Sequence, residues 1–226
     1  MTTAVPEPST EVRPLSRVLG EACVDGFAAL DASPVVQGLL QGTLPRESYA
    51  SWVAAMHAFD RELDGLLIGR RDEALILATT AGDSRLHGPL GEPDLHDLGI
   101  DRGAVALPEA AARFFEGLRA GEAYELMSAH FARSALRNAH RYLAAHARRT
   151  FGFEDREGTR LLDPYGLGQR ALWERFRRDV DRHRLHDDDL EKLKTRACDA
   201  LAALLPLHEP EGVASPAETR PVLATL

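Results

Sequence analysis

Hydrophobic residues recur along most of the chain at the three- and four-residue intervals of an α-helix. In the first such stretch, residues 15–30, this spacing places Leu19, Phe27 and Leu30 on one face. Stretches in which apolar and polar residues alternate one by one, as in a half-buried β-strand, are scarce. The pattern therefore predicts an all-α protein.

Capping and turn residues divide the remaining pattern into further helices. Ser33 followed by Pro34 is typical of a helix start, and Gly99 is typical of a helix end. The longest predicted helices are residues 45–68 and an uninterrupted run over residues 123–151. The other predicted helices are residues 35–41, 73–80, 94–98, 108–118, 172–182 and 188–205.

The periodic part of the chain has the length of one domain. A chain of 226 residues can bury a substantial core, and no internal repeat divides it. Residues 1–14 and 209–226 are polar and rich in proline, a composition that does not support a packed core. We therefore expect a single helical domain over residues 15–208, with a disordered lead before it and a disordered tail after it.

The composition is that of a soluble globular protein, with 44% hydrophobic and 27% charged residues. The formal net charge of −8 argues against binding to nucleic acid. No apolar run approaches the ~20 residues of a membrane helix. The first residues also lack the charged-then-apolar pattern of a signal peptide. We expect a cytoplasmic protein that associates with neither nucleic acid nor membrane.

The two cysteines, Cys23 and Cys198, are too few for a disulfide framework. Both lie in apolar helical stretches, so we expect two buried free thiols. A redox pair or a thiolate ligand is the alternative interpretation.

Three carboxylates lie close together on the third predicted helix. Asp60 and Asp64 share a helical face, and Glu62 lies between them in the chain. Paired carboxylates can act as acid and base, but a charged stripe on a long helix is more often solvated, and we expect a solvated face here. His57 is flanked by apolar residues and is expected to lie in the core or to line a pocket.

Residues 19–49 carry the most specific motif of the chain, LGEACVDGFAALDASPVVQGLLQGTLPRESY. This segment resembles the opening of heme oxygenases, and its second half also resembles the wider heme oxygenase-like superfamily. Further matches are DLHDLG at residues 94–99, the distal-helix region at residues 125–146, and LWERFR at residues 172–177. The resemblance covers residues 15–205 and implies one compact helical domain, with a ligand slot between the first helix and the distal helix.

The resemblance implies heme, a tetrapyrrole, as the ligand, but one position departs from the family. Heme oxygenases hold iron by one neutral histidine of the first helix. Phe27 occupies that position here, and no histidine precedes His57. Because a phenylalanine cannot donate to iron, Phe27 is expected to pack on a porphyrin face or to fill the slot. Any ligation of iron is then non-standard.

The distal helix departs from the family on the opposite side of the slot. The family carries two glycines four residues apart, which let the backbone approach the heme. Ala135 and Ala139 stand at the matching positions, so two methyl groups occupy part of that gap. The family's distal aspartate, which organises the water network for proton delivery, aligns with Leu136.

Four other residues are candidates for roles in the slot. His140 aligns with a further family glycine and is a candidate iron ligand from the distal side. Asn138 and Arg137 are candidates to support bound oxygen or a carboxylate. Arg177 resembles the arginine that pairs with a heme propionate, with a solvated basic face as the alternative.

Three functions remain open from the sequence. The first is oxidative opening of heme to biliverdin, with electrons from an external donor, because no flavin or nicotinamide motif is present. The second is a non-catalytic heme or bilin binding protein. The third is a non-heme iron oxygenase of the same superfamily. Glu21, Glu47 and His57 would supply half of its diiron site, but the second half, His-x-x-x-Asp-x-x-His, is absent.

Overall fold

A computed structural model describes residues 13–101 and 106–209. Within these residues the chain forms α-helices and short 3₁₀ turns and no β-strand, which confirms the predicted all-α class. The helices are α1 (Leu15–Ala22), α2 (Val24–Asp31), α3 (Pro34–Gln41), α4 (Arg46–Arg70), α5 (Leu75–Thr80), α6 (Gly88–Asp97), α7 (Glu109–Ala120), α8 (Glu125–His140), α9 (Leu143–Phe151), α10 (Gln169–Val180) and α11 (Asp187–Leu204). The 3₁₀ turns are Arg71–Glu73, Asp83–Arg85, Gly166–Gly168 and Leu205–His208.

Helix α8 forms the centre of the fold. Its most extensive contact is with α11, and it also packs against α1, α4, α5 and α10. Helix α11 presents Leu193, Ala197, Leu201 and Leu204 to this core, at the spacing of one helical face. Because neighbours surround α8 on nearly every side, most of its side chains are buried, polar ones included.

The prediction of one continuous helix over residues 15–30 is wrong. The chain leaves the helical path at Cys23 and divides into α1 and α2. The amide of Cys23 is shared between the carbonyls of Leu19, at 3.1 Å, and Gly20, at 3.2 Å, which tightens the last turn of α1. Both helices contact α11, so the bend lets the chain follow the surface of that helix.

The uninterrupted run predicted over residues 123–151 is also wrong. It is broken at Arg141 and Tyr142 into α8 and α9, and α4, with 25 residues, is the longest helix of the described chain. Ala144 and Ala145 donate to carbonyls three residues earlier, which is a 3₁₀ turn. The break directs α9 onto α3, whereas α8 stays against α11.

The predicted helix boundaries at capping residues are confirmed. Ser33 caps α3 and Pro34 is its first residue. Gly99 has φ of 69° and follows α6 in a Schellman motif, in which Ile100 donates to the carbonyl of Leu95 at 2.9 Å. Helix α6 begins at Gly88, however, and not at residue 94 as predicted.

The early start of α6 has a cause that lies outside its own sequence. Asp64 of α4 accepts hydrogen bonds from the amides of His87, at 2.8 Å, and Gly88, at 2.6 Å. This buried carboxylate satisfies the free amides at the positive end of α6. A cap supplied from another helix gives no local signal in the chain.

The predicted lead and tail fall largely outside the described residues, which exclude 1–12 and 210–226. Their disorder and the domain boundaries at 14 and 209 stay predictions. Across the described part of the chain, no helix combines the length and the apolar character needed to cross a bilayer.

Candidate functional site

A cavity of about 450 Å³ opens between α1, α2, α8 and α10, and we call it the slot. It lies between the first helices and the distal helix, where the resemblance places the ligand. A Cβ added at Gly20 of α1 would meet no atom within 4 Å, so this glycine leaves the slot open. The slot is lined by Ser16, Arg17, Gly20, Glu21, Val24, Phe27, Phe131, Ala135, Trp173 and Arg177.

Aromatic side chains form the inner walls of the slot. Phe27 of α2 and Phe131 of α8 are both 1% exposed, and Trp173 of α10 packs against Phe131 with ring centroids 5.5 Å apart. Val24 is 56% exposed and continues the apolar surface at the mouth. Walls of this kind accommodate a flat, largely apolar ligand.

Two charged residues that line the slot, Glu21 and Arg177, differ in their partners. Glu21 accepts hydrogen bonds from Arg13 and from Arg17, the latter at 3.0 Å, and both bonds lower the pKa of its carboxyl. The Nε of Arg177 donates to the Ser16 hydroxyl at 3.3 Å, and that hydroxyl donates to Asp181 at 3.0 Å. Arg177 forms no ion pair with another described residue, so its guanidinium group is available to bind a ligand carboxylate.

Of the residues singled out in the sequence, Phe27, Ala135 and Arg177 line the slot. Asn138 and Ala139 are half-buried on α8 and do not contribute to the slot lining. Ala135 follows Phe131 by four residues, so both point from α8 to the same side. The small side chain of Ala135 therefore sets the depth of the slot opposite Phe27.

Arg137 and His140 point away from the slot. At about 100° per residue, Arg137 lies about 200° and His140 about 140° around α8 from Ala135. Arg137 donates to Asp60 of α4 at 2.6 Å. This geometry corrects the expectation that Arg137 supports a ligand in the slot.

His140 is buried against the end of α2. Its Nε2 lies 3.2 Å from Oδ1 of Asp31, and its ring packs edge-on to His208, with centroids 6.1 Å apart. Burial lowers the pKa of His140, although the Asp31 carboxylate acts in the opposite direction. The nitrogen that would bind iron is thus engaged elsewhere, which corrects the expectation that His140 enters the slot.

A cluster of buried charges lies on the opposite face of α8 from the slot. Arg137 pairs with Asp60, and Arg133 lies 2.6 Å from Asp64. These four side chains are at most 6% exposed. The expectation of a solvated face on α4 is therefore wrong for Asp60 and Asp64, because α8 covers that face with two arginines.

Sequence reasoning missed two wall residues, Phe131 and Trp173. Phe131 precedes Ala135 by four residues, and Trp173 precedes Arg177 by four residues. Residues at this interval share a helical face, so the spacing from the two recognised positions was sufficient to find them.

Several solved heme oxygenases have the same helical arrangement. The enzyme from Leptospira interrogans superposes with a TM-score of 0.75 at 12% identity, covering 87% of this chain and 98% of that one. Heme oxygenase-1 of Synechocystis in complex with heme gives 0.76 at 17% identity, covering 87% and 91%. Heme oxygenase-2 of Synechocystis, with heme and NO, gives 0.76 at 16% identity, covering 87% and 84%.

The chain has the heme oxygenase fold. No protein-family model matches the sequence, and no curated protein matches it. The fold predicted from the first-helix and distal-helix motifs is thus shown by structure, at an identity too low to transfer chemistry.

The slot residues fit the body of a heme but not its iron. Phe27, Phe131 and Trp173 match a flat apolar macrocycle, and Arg177 matches a propionate. Heme iron in proteins takes histidine, cysteine, methionine or tyrosine as its axial ligand. Among the described residues that line the slot, none is of these four types. The described residues also contain no cluster of three or more histidine, cysteine or acidic side chains suited to a metal ion, so Glu21, Glu47 and His57 do not assemble a diiron site.

Proposed function

We propose that this protein binds a tetrapyrrole, heme or an open-chain bilin, in the slot without an iron–histidine bond. The position of Phe27 carries the proposal. Phe27 forms a wall of the slot, and the resemblance of the first helix aligns it with the ligating histidine of heme oxygenases. Its ring can contact a macrocycle face, but it has no lone pair for iron.

The ligand class is inferred from the fold and from the chemistry of the lining together. The two Synechocystis proteins of the same fold were solved with heme bound. The aromatic walls supply apolar contact area, and Arg177 supplies a cation beside it. Tetrapyrroles with propionate side chains present the complementary surfaces, a wide apolar face with carboxylates at one edge.

Binding without turnover is the role that the slot residues support. The resemblance aligns Leu136, which is buried on α8 beside the slot residue Ala135, with the family's distal aspartate, and a leucine can neither accept nor relay a proton. With Phe27 on one wall and Leu136 on the helix of the other, the residues that heme oxygenases use to activate oxygen are replaced on both sides. We therefore favour a tetrapyrrole binding protein over a biliverdin-forming enzyme.

The first prediction is that iron contributes little to affinity. Purified protein titrated with hemin and with metal-free protoporphyrin IX should give dissociation constants within about threefold of each other, because no protein atom bonds to the iron. Quenching of tryptophan fluorescence reports binding, since Trp173 is one of only two tryptophans and lines the slot.

A matched variant supplies the missing ligand. Phe27→His should raise the preference for hemin over protoporphyrin at least about tenfold and shift the Soret band, because an imidazole then faces the iron. Phe27→Leu keeps an apolar wall and should leave the ratio of the two affinities unchanged. Hemin that binds the wild-type protein 100-fold more tightly than protoporphyrin would show that some residue ligates iron.

A second pair of variants tests the location of the ligand. Arg177→Leu should weaken binding of both porphyrins about tenfold, because a charge-assisted hydrogen bond to a carboxylate is lost. Arg178→Leu removes an exposed arginine from the next position on α10 and should change affinity less than twofold. Equal effects of the two variants, or biliverdin formed from bound heme with a reductant, would contradict the proposal.

A further inference from the structure

The two cysteines of the chain meet where three helices come together. Cys23 is fully buried at the junction between α1 and α2. Cys198 lies on α11 and is exposed, which corrects the expectation that both thiols are buried. The Cys198 thiol donates to the carbonyl of Ala22, the residue before Cys23, at 3.2 Å. The carbonyl that Cys198 contacts belongs to the peptide bond between Ala22 and Cys23, so the Cys198 thiol lies beside the backbone of Cys23.

The neighbouring helical turn shows that the backbones approach closely here. Gly26 lies three residues after Cys23, and Leu201 lies three residues after Cys198. A Cβ added at Gly26 would stand 2.8 Å from Cδ1 of Leu201. The contact of Cys198 with the carbonyl before Cys23 and the contact of Gly26 with Leu201 thus lie about one turn apart along the same interface with α11.

We propose that Cys23 and Cys198 are an oxidisable thiol pair that closes a reversible disulfide between the α1–α2 junction and α11. A disulfide needs two Cα atoms within about 7 Å and side chains that face each other. The 3.2 Å contact of the Cys198 thiol with the carbonyl before Cys23 and the close approach at Gly26 bring the two cysteines towards this geometry. With a peroxide as oxidant, the two thiols lose two electrons and two protons to form the S–S bond. The peroxide accepts these electrons and protons, its O–O bond breaks, and two molecules of water are released.

The two cysteines have different parts in this reaction. Cys198 is exposed, so it meets the peroxide first and becomes a sulfenic acid with release of water. Cys23 is shielded from solvent and follows the residue whose carbonyl that sulfur contacts, so it attacks and displaces the second water.

The surroundings make this reaction slow at neutral pH. Burial raises the pKa of Cys23 to about 12, and the nearby Cys198 thiol adds to this shift. Burial also raises the pKa of Cys198, with Asp199 and Asp25 acting in the same direction and Lys194 opposing them. Both groups are protonated at neutral pH, so the pair responds to sustained oxidant rather than to traces.

The disulfide would act on a wall of the slot. Cys23 lies between Gly20 and Val24 in the chain, and both line the slot. The link ties this wall to α11 and fixes its angle. This consequence rests on the proposed tetrapyrrole binding, whereas the thiol chemistry does not.

The test uses the full chain, reduced and then exposed to hydrogen peroxide. We expect titratable thiols to fall from two to none, with the intact mass lower by two hydrogen atoms. A proteolytic map should contain one peptide that joins Cys23 to Cys198, and dithiothreitol should restore both thiols. A mass gain of one or more oxygen atoms on Cys198 with Cys23 unchanged would overturn the proposal, as would disulfide-linked dimers.

Cys198→Ser is the matched control, because it changes an exposed atom and keeps the buried thiol. Its single thiol should survive the same peroxide treatment. Circular dichroism checks its fold, and the peptide map of the wild-type protein decides the test if the variant unfolds. A linked pair in a protein that binds no porphyrin would refute the proposed function and leave the thiol pair standing.

Discussion

The buried pair of Asp60 and Arg137 shows how strongly single residues depend on their partners. Both side chains are at most 3% exposed, and their charged atoms are 2.6 Å apart. A charge taken out of water is costly unless a partner of opposite sign lies beside it. Among the described ion pairs Asp60 is the partner of Arg137, whereas Asp60 also has Arg133 at 3.7 Å.

The pair leads to a prediction on stability. Asp60→Leu should lower the free energy of unfolding by about 3–5 kcal/mol, because Arg137 is left as an uncompensated charge in the core. Adding Arg137→Met should recover most of that loss, since an apolar pair of similar volume has no charge to compensate. Urea unfolding measures both values.

An exposed pair supplies the control for this cycle. Arg170 and Glu174 on α10 are 80% and 47% exposed, so Glu174→Ala should change the free energy of unfolding by less than about 0.5 kcal/mol. If the double variant of the buried pair is as unstable as Asp60→Leu alone, loss of packing rather than unpaired charge is the cause.

At the scale of single residues, the sequence predicts which positions share a face but not which helix covers that face. Phe27, Ala135 and Arg177 come from three different helices and line one slot, and it is the family resemblance that groups them. The surroundings of Asp60 and His140 come from helices distant in the chain. A local pattern carries no information on such partners, so Asp60 was expected in solvent and His140 in the slot.

At the scale of helices, the close approach of α6 to α4 depends on Gly91. A Cβ at this position would stand 2.7 Å from Cδ2 of His57 and 3.1 Å from Cδ1 of Leu161. His57 is 3% exposed, so its ring has little room to move away. Gly65 on α4 has no atom within 4 Å of an added Cβ.

These two glycines form a matched pair for a prediction. Gly91→Ala should destabilise the protein by roughly 1–3 kcal/mol, because the methyl group overpacks the contact between α6 and α4. Gly65→Ala should stabilise it by up to about 1 kcal/mol, because alanine is the better helix former and meets no obstacle. Thermal unfolding measures the change in stability of each variant. A Gly91→Ala variant that is more stable than the wild type would show that the His57 ring moves away from the added methyl group.

Helix positions were predictable from the sequence where the signal is local. The Ser33–Pro34 start of α3 and the Gly99 end of α6 are examples, since a capping residue acts on its own turn. The breaks at Cys23 and at Arg141 were not predictable, because they follow from packing on α11 and α3. Tertiary packing overrides helical periodicity at both positions.

At the scale of the whole molecule, neutral histidines are distributed through the core. Burial lowers the pKa of five histidines of the core, and for His208 it does so to about 3, with His140 and Arg137 acting in the same direction. The five are His57, His87, His130, His140 and His208. In the unfolded chain each returns to about 6.5, so below that pH the unfolded state binds more protons than the native state.

Stability should therefore be complete above pH 6.5 and be lost as the pH falls below it. Each buried histidine contributes up to about 1.4 kcal/mol as the pH falls from 7.5 to 5.5, so the five together should reduce the free energy of unfolding by up to about 7 kcal/mol. His208→Asn keeps a donor towards the Leu204 carbonyl, which the ring of His208 contacts at 2.9 Å, and should remove about 1.4 kcal/mol of that loss. His96→Asn changes a side chain that is 92% exposed and should keep the full loss. Urea titrations at the two pH values decide between them: equal pH dependence in both variants would mean that protonation of other groups, and not of buried histidines, opens the fold.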